Sequence, residues 1–209
     1  MKILELFGGS RSIGKIAKER GHEVFSIDIN DFEGIDLVKD ILDVELNDIP
    51  FSPDMIWASP PCTTFSIASV GHHWNNHNPK TKEAIKGMKI LEKTLEIVLS
   101  FPNSKFYIEN PMGMMRTKIK GLDRSTITYC SYGDNRMKPT DIWSNNIKDM
   151  FNPNGWKPRA KCFNGNKKCH HESAPRGSKT GTQGLKNNYE RSKIPQELCL
   201  EIIKATENG

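Results

Sequence analysis

Apolar residues in the first half of the chain come in short runs, each closed by a glycine, a proline or an acid. Residues 2 to 7, KILELF, run into Gly8-Gly9-Ser10, and Ile13, Ile16 and Ala17 then recur at helical spacing until Gly21. That pattern predicts a strand, a glycine turn and a helix. EVFSID (23 to 28) predicts a second strand ending on Asp28, and a third element around LVKDILDV carries Asp40 and Asp43. DMIWAS (54 to 59) predicts a fourth strand leading into Pro60-Pro61-Cys62. From Pro79 the period becomes helical, with Ile85, Met88, Leu91, Leu95, Val98 and Leu99 on one face and Pro102 closing the segment. KFYIEN (105 to 110) predicts a fifth strand. TITYC (126 to 130) and TDIWS (140 to 144) predict antiparallel strands finishing the sheet. IPQELCLEIIKAT predicts a last helix, with Pro195 in its first turn and Leu198, Ile202 and Ala205 on one face.

Strands alternating with helices imply parallel pairing through right-handed crossovers, so the expected fold class is α/β, a mostly parallel, doubly wound sheet. Ligands then belong at its carboxyl edge. Gly8 and Gly9 follow the first strand, Asp28 ends the second, Asp40 lies near the third, Cys62 follows the fourth and Glu109 ends the fifth. Glycines, carboxylates and a thiol are thus expected on one rim.

At 209 residues the chain is long enough for one domain with a small appendage. Five cysteines, odd in number and unevenly spread, do not suggest a disulfide framework. No signal-like apolar core and no run of about 18 apolar residues occurs, so the expectation is a reducing cytoplasm, of a bacterium or a phage-infected host, and no membrane. The net charge is +5, but eleven Lys or Arg against three acids lie between Lys148 and Lys193. A basic block on a near-neutral body suits a polyanion, and equally a solvated lysine-rich surface. The stretch from about Asn145 to Asn188 is too polar for a core of its own and reads as a long functional loop.

The first turn, FGGSRSIG, lacks the dinucleotide fingerprint, since Ser10 and Ile13 stand where glycines would be needed. Its glycines still admit a ligand close to the backbone, and Asp28 is placed for ribose hydroxyls. By this motif alone NAD and S-adenosylmethionine are not distinguished. In ASPPCTTFS (58 to 66) two prolines hold Cys62 just outside a strand, where a thiolate can meet a substrate. Glu109, at the end of a hydrophobic strand, is the kind of acid able to hand over a proton.

LELFGGSRSIG, ASPPCTTFS, FYIENP and RSKIPQEL, in this order, resemble the successive motifs of the cytosine-C5 DNA methyltransferases. The resemblance covers residues 1 to about 143 and 189 to 205, and implies a Rossmann-like, S-adenosylmethionine-dependent methyltransferase fold. It further implies that Cys62 attacks C6 of cytosine while Glu109 protonates N3. Phe7, Gly8, Gly9 and Pro60 would line the cofactor, with Asp28 on its ribose and Asp40 on its adenine. Arg136 and Lys138 are the nearest matches to the family's Gln-x-Arg-x-Arg motif, and Lys138 joins the catalytic set. Pro61, Ser66, Asn110, Arg136, His73 and Arg176 are the expected substrate contacts. A cytosine in duplex DNA would have to be flipped out, and SIASVGHHWNNHNP, with His72, His73 and Trp74, is the expected closing loop.

The chain departs from the family where targets are read. Only Ser144 to Glu190 stands in place of a recognition domain generally well over 100 residues long. Glu5 replaces the family's first aspartate and Pro111 its valine. The expected organisation is a catalytic domain at 1–143, a small basic insert at 144–190 and a helix at 191–209 packing back on the body. Within the insert, CFNGNKKCHH offers Cys162, Cys169 and His171 to a zinc ion in place of a hydrophobic core, with Cys130 as the outside ligand. APRGSKTGTQG, after it, suits phosphate contact.

Three readings follow. The first is a compact, phage-like enzyme of DNA methylation, of the kind found in restriction–modification, acting as a monomer or with a partner that supplies recognition. The second keeps the cofactor but methylates RNA, or an exocyclic amine. The third is an idle nucleic-acid-binding decoy on the same fold.

Overall fold

The computed structural model describes residues 1–172 and 187–209. All of APRGSKTGTQG, Arg176 included, lies outside the described residues. The elements are β1 (Lys2–Leu6), α1 (Ser12–Glu19), β2 (Glu23–Asp28), β3 (Leu37–Val38), β4 (Met55–Ala58), α2 (Val70–His73), β5 (Trp74–Asn75), β6 (Asn78–Pro79), α3 (Lys82–Leu99), β7 (Lys105–Pro111), β8 (Arg124–Thr128), β9 (Pro139–Ser144), α4 (Asn188–Ser192) and α5 (Gln196–Glu207). Seven strands form one sheet in the order β3-β2-β1-β4-β7-β9-β8, and β5 and β6 make a small hairpin. β3, β2, β1, β4 and β7 pair in parallel with their neighbours, and β9 runs antiparallel to both β7 and β8. The expected α/β, mostly parallel sheet is the fold.

The central strands are buried on both faces, as a parallel sheet requires. Alternate residues feed two cores. Leu4, Leu6, Ile56, Ala58, Phe106 and Ile108 face Leu91, Ile97 and Val98 of α3. Ile3, Met55, Trp57 and Tyr107 face Ile13, Ile16 and Ala17 of α1 and Leu198, Ile202 and Ile203 of α5. The helices α1 and α5 are joined at the surface by Glu207, which accepts from Arg20 at 2.6 Å and contacts His22 at 2.8 Å.

Several expectations shift. The third strand is two residues long, because Asp40 caps a 3₁₀ turn at Ile41–Asp43 by accepting from the Leu42 amide. The buried face of α3 is Ala84, Leu91, Thr94, Ile97 and Val98, while Ile85 and Leu99 are exposed. Thr94 is buried because its hydroxyl donates to the Ile90 carbonyl within the helix. Pro195 caps α5 instead of entering it. The stretch after β9 is anchored to the body, with Asn146 donating to the Tyr107 hydroxyl at 2.7 Å and Trp156 packing edge-on against the Tyr107 ring. The stretch from Asn145 to Trp156 is therefore a loop tied to the core, with no helix or strand of its own. Among the described residues no helix is long and apolar enough to cross a membrane.

Candidate active site

The strand order reverses between β1 and β4, so their carboxyl ends diverge and open a crevice there. A cavity of about 480 Å³ fills it. Phe7, Gly8, Gly9, Asp28, Asp40 and Pro61 all line it. The turn beneath is tightly wound, with Phe7, Gly9 and Arg11 in the left-handed region. A methyl group on Gly8 would lie 2.8 Å from Ile35 Cδ1, so glycine is what lets β2 and the following loop approach. Asp28 is held from below: the Gly9 amide donates to one oxygen at 3.0 Å and the Asn30 amide to the other at 2.9 Å. Asn30 Nδ2 also donates to that second oxygen at 3.2 Å, so the oxygen bound by Gly9 is the one with a further lone pair to offer the cavity.

The apolar wall is Ile29, Ile41 and Ile90, none of them singled out by the sequence. Ile29 is 57% exposed and leaves an apolar face open at the cavity mouth. Asp40 also pairs with Lys86 at 3.3 Å, so it serves its cap and a lysine as well as the wall. Glu5, at the floor, accepts from the Gly14 amide, the Ser26 hydroxyl and Arg11 Nε. Burial pushes its carboxyl up, against the pull of those donors.

Cys62 stands next to this cavity. Asn110 Nδ2 donates to the Pro60 carbonyl at 2.8 Å, tying the exit of β4 to the end of β7. Pro60 is thereby buried as a strut, and Pro61 takes the place in the cavity wall expected of it. Two residues past the strut, the Cys62 carbonyl accepts from the Phe65 and Ser66 amides, both at 3.0 Å, so the cysteine opens a tight turn with its side chain half-buried. Burial pushes its thiol up, Lys138 and Arg191 draw it down, and Glu109 pushes it up again. These groups are close enough for their charges to act on the sulfur.

Glu109 is 4% exposed and belongs to a relay of three side chains. Lys138 Nζ donates to the Tyr129 hydroxyl at 3.3 Å, and that hydroxyl donates to Glu109 Oε1 at 2.9 Å. Lys138 also lies 3.7 Å from the same oxygen. Both contacts fall on Oε1. Tyr129 is fully buried, and burial followed by the Glu109 charge holds its phenol well above the ordinary value, so it stays a donor. Its role was invisible in the sequence, where TITYC reads only as a strand; a tyrosine beside a threonine-rich strand carries no signal of its partner.

Other expected contacts are placed differently. Arg136 is 7% exposed, and its guanidinium is spent on Asp134 and on the carbonyls of Glu190, Arg191 and Lys193. It is a strut that carries α4 and stacks behind Tyr129, not a free substrate contact. His73 is buried, with Nδ1 2.8 Å from the hydroxyl of Thr81, which caps α3. Trp74 is buried too, with Nε1 donating to the Thr64 carbonyl at 2.7 Å. The segment expected to close over substrate is therefore a folded brace, and of its four aromatic or imidazole groups only His72 and His77 are exposed. Ser66 is half-buried beside the cysteine turn and bridges to Gly113. Arg191, read before as part of a helix-opening motif, is brought near Cys62 by α4, whose Tyr189 and Ser192 complete the cavity wall.

A second group of donors lies along the insert. Cys130, Cys162, Cys169 and His171 place one ligand atom each within 4.8 Å of one another.

The chain is 26% identical over 216 residues to a protein of frog virus 3 described as a probable DNA (cytosine-5)-methyltransferase, covering 97% of this chain and 99% of that protein. The chain resembles the cytosine-C5 DNA methyltransferases. No family profile matches it. Two solved structures share the fold at 15% identity. One is the Entamoeba histolytica methyltransferase EhMeth, with a TM-score of 0.52 over 71% of this chain and 55% of that one. The other is a prophage-encoded candidate DNA modification methyltransferase of Escherichia coli, with a TM-score of 0.51 over 69% and 46%. The chain thus spans about half the length of those two proteins, and it shares with them a Rossmann-like methyltransferase fold.

Proposed function

We propose that the chain transfers a methyl group to C5 of cytosine in DNA. What supports this reading is that Cys62, just past the end of β4, and Glu109, on the adjacent β7, lie near enough for the Glu109 charge to act on the thiol, beside a cavity with a carboxylate and a glycine turn. The Cys62 thiolate adds to C6 of a cytosine while N3 takes a proton from Glu109, which turns C5 into an enamine-like nucleophile. Lys138 and Arg191 favour the thiolate form of the attacking sulfur. Tyr129 and Lys138 hold Oε1, leaving Oε2 to face the ring. Once C5 carries the methyl group, a water molecule takes the C5 proton, the carbon–sulfur bond breaks to return the Cys62 thiolate, and Glu109 recovers the N3 proton.

The cavity suits S-adenosylmethionine: Asp28 for ribose hydroxyls, Asp40 and the Ile29–Ile41 wall for an adenine, and Phe7, Gly8 and Gly9 for the chain between. Bound there, it would supply the electrophilic methyl. Pro61 borders both the cavity and the cysteine turn, and Asn110 and Ser66 flank the place for the base. Residues 1–143 carry the reacting groups, α4 adds Tyr189, Arg191 and Ser192 to the site, and the rest of 144–190 contacts DNA. The base has to leave the duplex, which costs a few kcal/mol.

The test is labelled methyl transfer from S-adenosylmethionine to duplex DNA, single-stranded DNA and tRNA, followed by nucleoside analysis. The reading expects 5-methylcytosine in DNA, lost in Cys62→Ala. Transfer that survives in Cys62→Ala points to amine chemistry, label confined to tRNA moves the substrate to RNA, and no transfer by either protein leaves the decoy.

A further inference from the structure

The basic insert poses a packing problem. Beyond Trp156 its large apolar side chain, Phe163, is 65% exposed, so no hydrophobic core holds residues 157–172. These residues nevertheless lie against one turn of the body. The Arg159 amide donates to the Tyr132 hydroxyl at 2.9 Å and the Cys162 amide to the Thr128 hydroxyl at 2.9 Å. The Glu172 amide donates to the Asn135 carbonyl at 3.0 Å, and His170 Nε2 lies 3.1 Å from the Asp134 carbonyl. The stretch between these two seams carries Cys162, Cys169 and His171, and the turn it lies on carries Cys130. With His170 engaged on a carbonyl, His171 is the imidazole that faces the thiols.

We propose that Cys130, Cys162, Cys169 and His171 bind one zinc ion, which replaces a hydrophobic core and clamps the insert to the turn that carries Tyr129. Three thiolates and one imidazole are soft donors in a number that fills a tetrahedron, which is the composition of a closed structural zinc site. Metal–donor lengths of about 2.3 Å for sulfur and about 2.0 Å for nitrogen give a sulfur–nitrogen edge of roughly 3.6 Å. Cys162 Sγ and His171 Nδ1 are 3.7 Å apart. No pair is wider than 4.8 Å, so none has to close by more than about 1 Å to reach the roughly 3.8 Å of a sulfur–sulfur edge.

The surroundings are those of a bound thiolate. Asn166 Nδ2 points at Cys162 Sγ from 3.3 Å, and the Cys169 amide donates to the Asn166 carbonyl, forming a small knuckle between the two cysteines. Gly165 provides the left-handed residue on which the knuckle turns. Cys130 is buried and directly follows Tyr129, so a metal on Cys130 fixes the backbone next to the residue that holds Glu109. The site lies apart from the cavity, and the proposal does not depend on the methyl-transfer reading.

The experiment is metal analysis of the full chain purified without chelator, with cobalt(II) exchange as the second measurement. About one zinc per chain is expected, falling several-fold in Cys162→Ser and in Cys169→Ser and unchanged in Cys62→Ser. The cobalt form of the unaltered protein is expected to show the intense visible bands of a four-coordinate thiolate site. That readout stands even where a cysteine variant fails to fold. Limited proteolysis after chelation is expected to cut between residues 157 and 172 before it cuts the body. A folded chain with neither zinc nor a cobalt spectrum overturns the proposal. So does a mass two hydrogens short, which marks a disulfide among these cysteines.

Discussion

The hydroxyl of Tyr129 is the cheapest atom to remove at the centre of the account. Tyr129→Phe keeps the ring, its packing and the Lys138 ammonium 4.6 Å from its centroid, and deletes the buried hydrogen bond to the Glu109 carboxyl together with the longer one from Lys138. Tyr129 is fully buried and Glu109 nearly so, so water does not replace the lost donor. A hydrogen bond to a charged group contributes roughly 1.5–3 kcal/mol. If that energy holds Oε1 so that Oε2 meets the ring, its loss slows the chemical step by about 10- to 100-fold, at about 1.4 kcal/mol per factor of ten. Stability falls by a similar amount, about 3–12 °C in melting temperature for a domain of this size. Tyr107→Phe is the control. It gives up hydroxyl contacts to Asn146 and to Thr206 of α5, which do not involve Glu109, so it should lose stability and keep its rate. The assay is single-turnover methyl transfer at a temperature where both variants are folded. A Tyr129→Phe rate equal to that of the parent, or an equal rate loss in Tyr107→Phe, refutes the relay.

The remaining predictions address the thiol and its supports. Burial raises the Cys62 thiol and Lys138 is the first cation to oppose that, so the rate should climb with pH as the thiolate forms. Lys138→Gln should move that limb to higher pH and cut the neutral rate about tenfold, as read from pH profiles of single turnover. Arg136→Ala removes a nearly buried guanidinium from Asp134 and three carbonyls, so denaturant unfolding should show a loss of roughly 3 kcal/mol. The salt slope of DNA binding by the folded remainder should be unchanged, since no phosphate contact is lost. In Gly113→Ala the new methyl would run into the Phe65 carbonyl, which accepts from the Met114 amide at 2.7 Å. The Cys62 turn is built on the same residue, so this variant should lose about 1–3 kcal/mol by thermal melt and most of its transfer rate.

The strands around the site were legible because a parallel sheet covered on both faces needs continuous apolar runs, and KILELF, MIWA and FYI supply them. Glycines and acids at the run ends marked the rim, since turn chemistry is local. Partnership across the sheet was not legible. Tyr129 meets Glu109 because β9 lies between β7 and β8, which is a fact of topology and not of spacing. His73 and Trp74 looked like loop residues because their partners, the Thr81 cap and the Thr64 carbonyl, are set by how the chain folds back. Arg136 matched a motif by composition, and only its buried bonds to Asp134 and the α4 carbonyls show what occupies it. The Cys/His set was easier to see, since thiols and imidazoles in a coreless, basic stretch have few other uses. Even Cys130, more than 30 residues upstream, was the thiol expected to complete it.

The central claim is that the Cys62 sulfur bonds to the pyrimidine. Replacing the target cytosine by 5-fluorocytosine blocks the last step, because fluorine does not leave C5 as the proton does. With S-adenosylmethionine present, the chain should then remain joined to the DNA, and mass analysis should find the nucleotide on the peptide containing Cys62, with nothing retained in Cys62→Ser. Adduct on another residue, or normal methyl transfer by Cys62→Ser, would contradict the account.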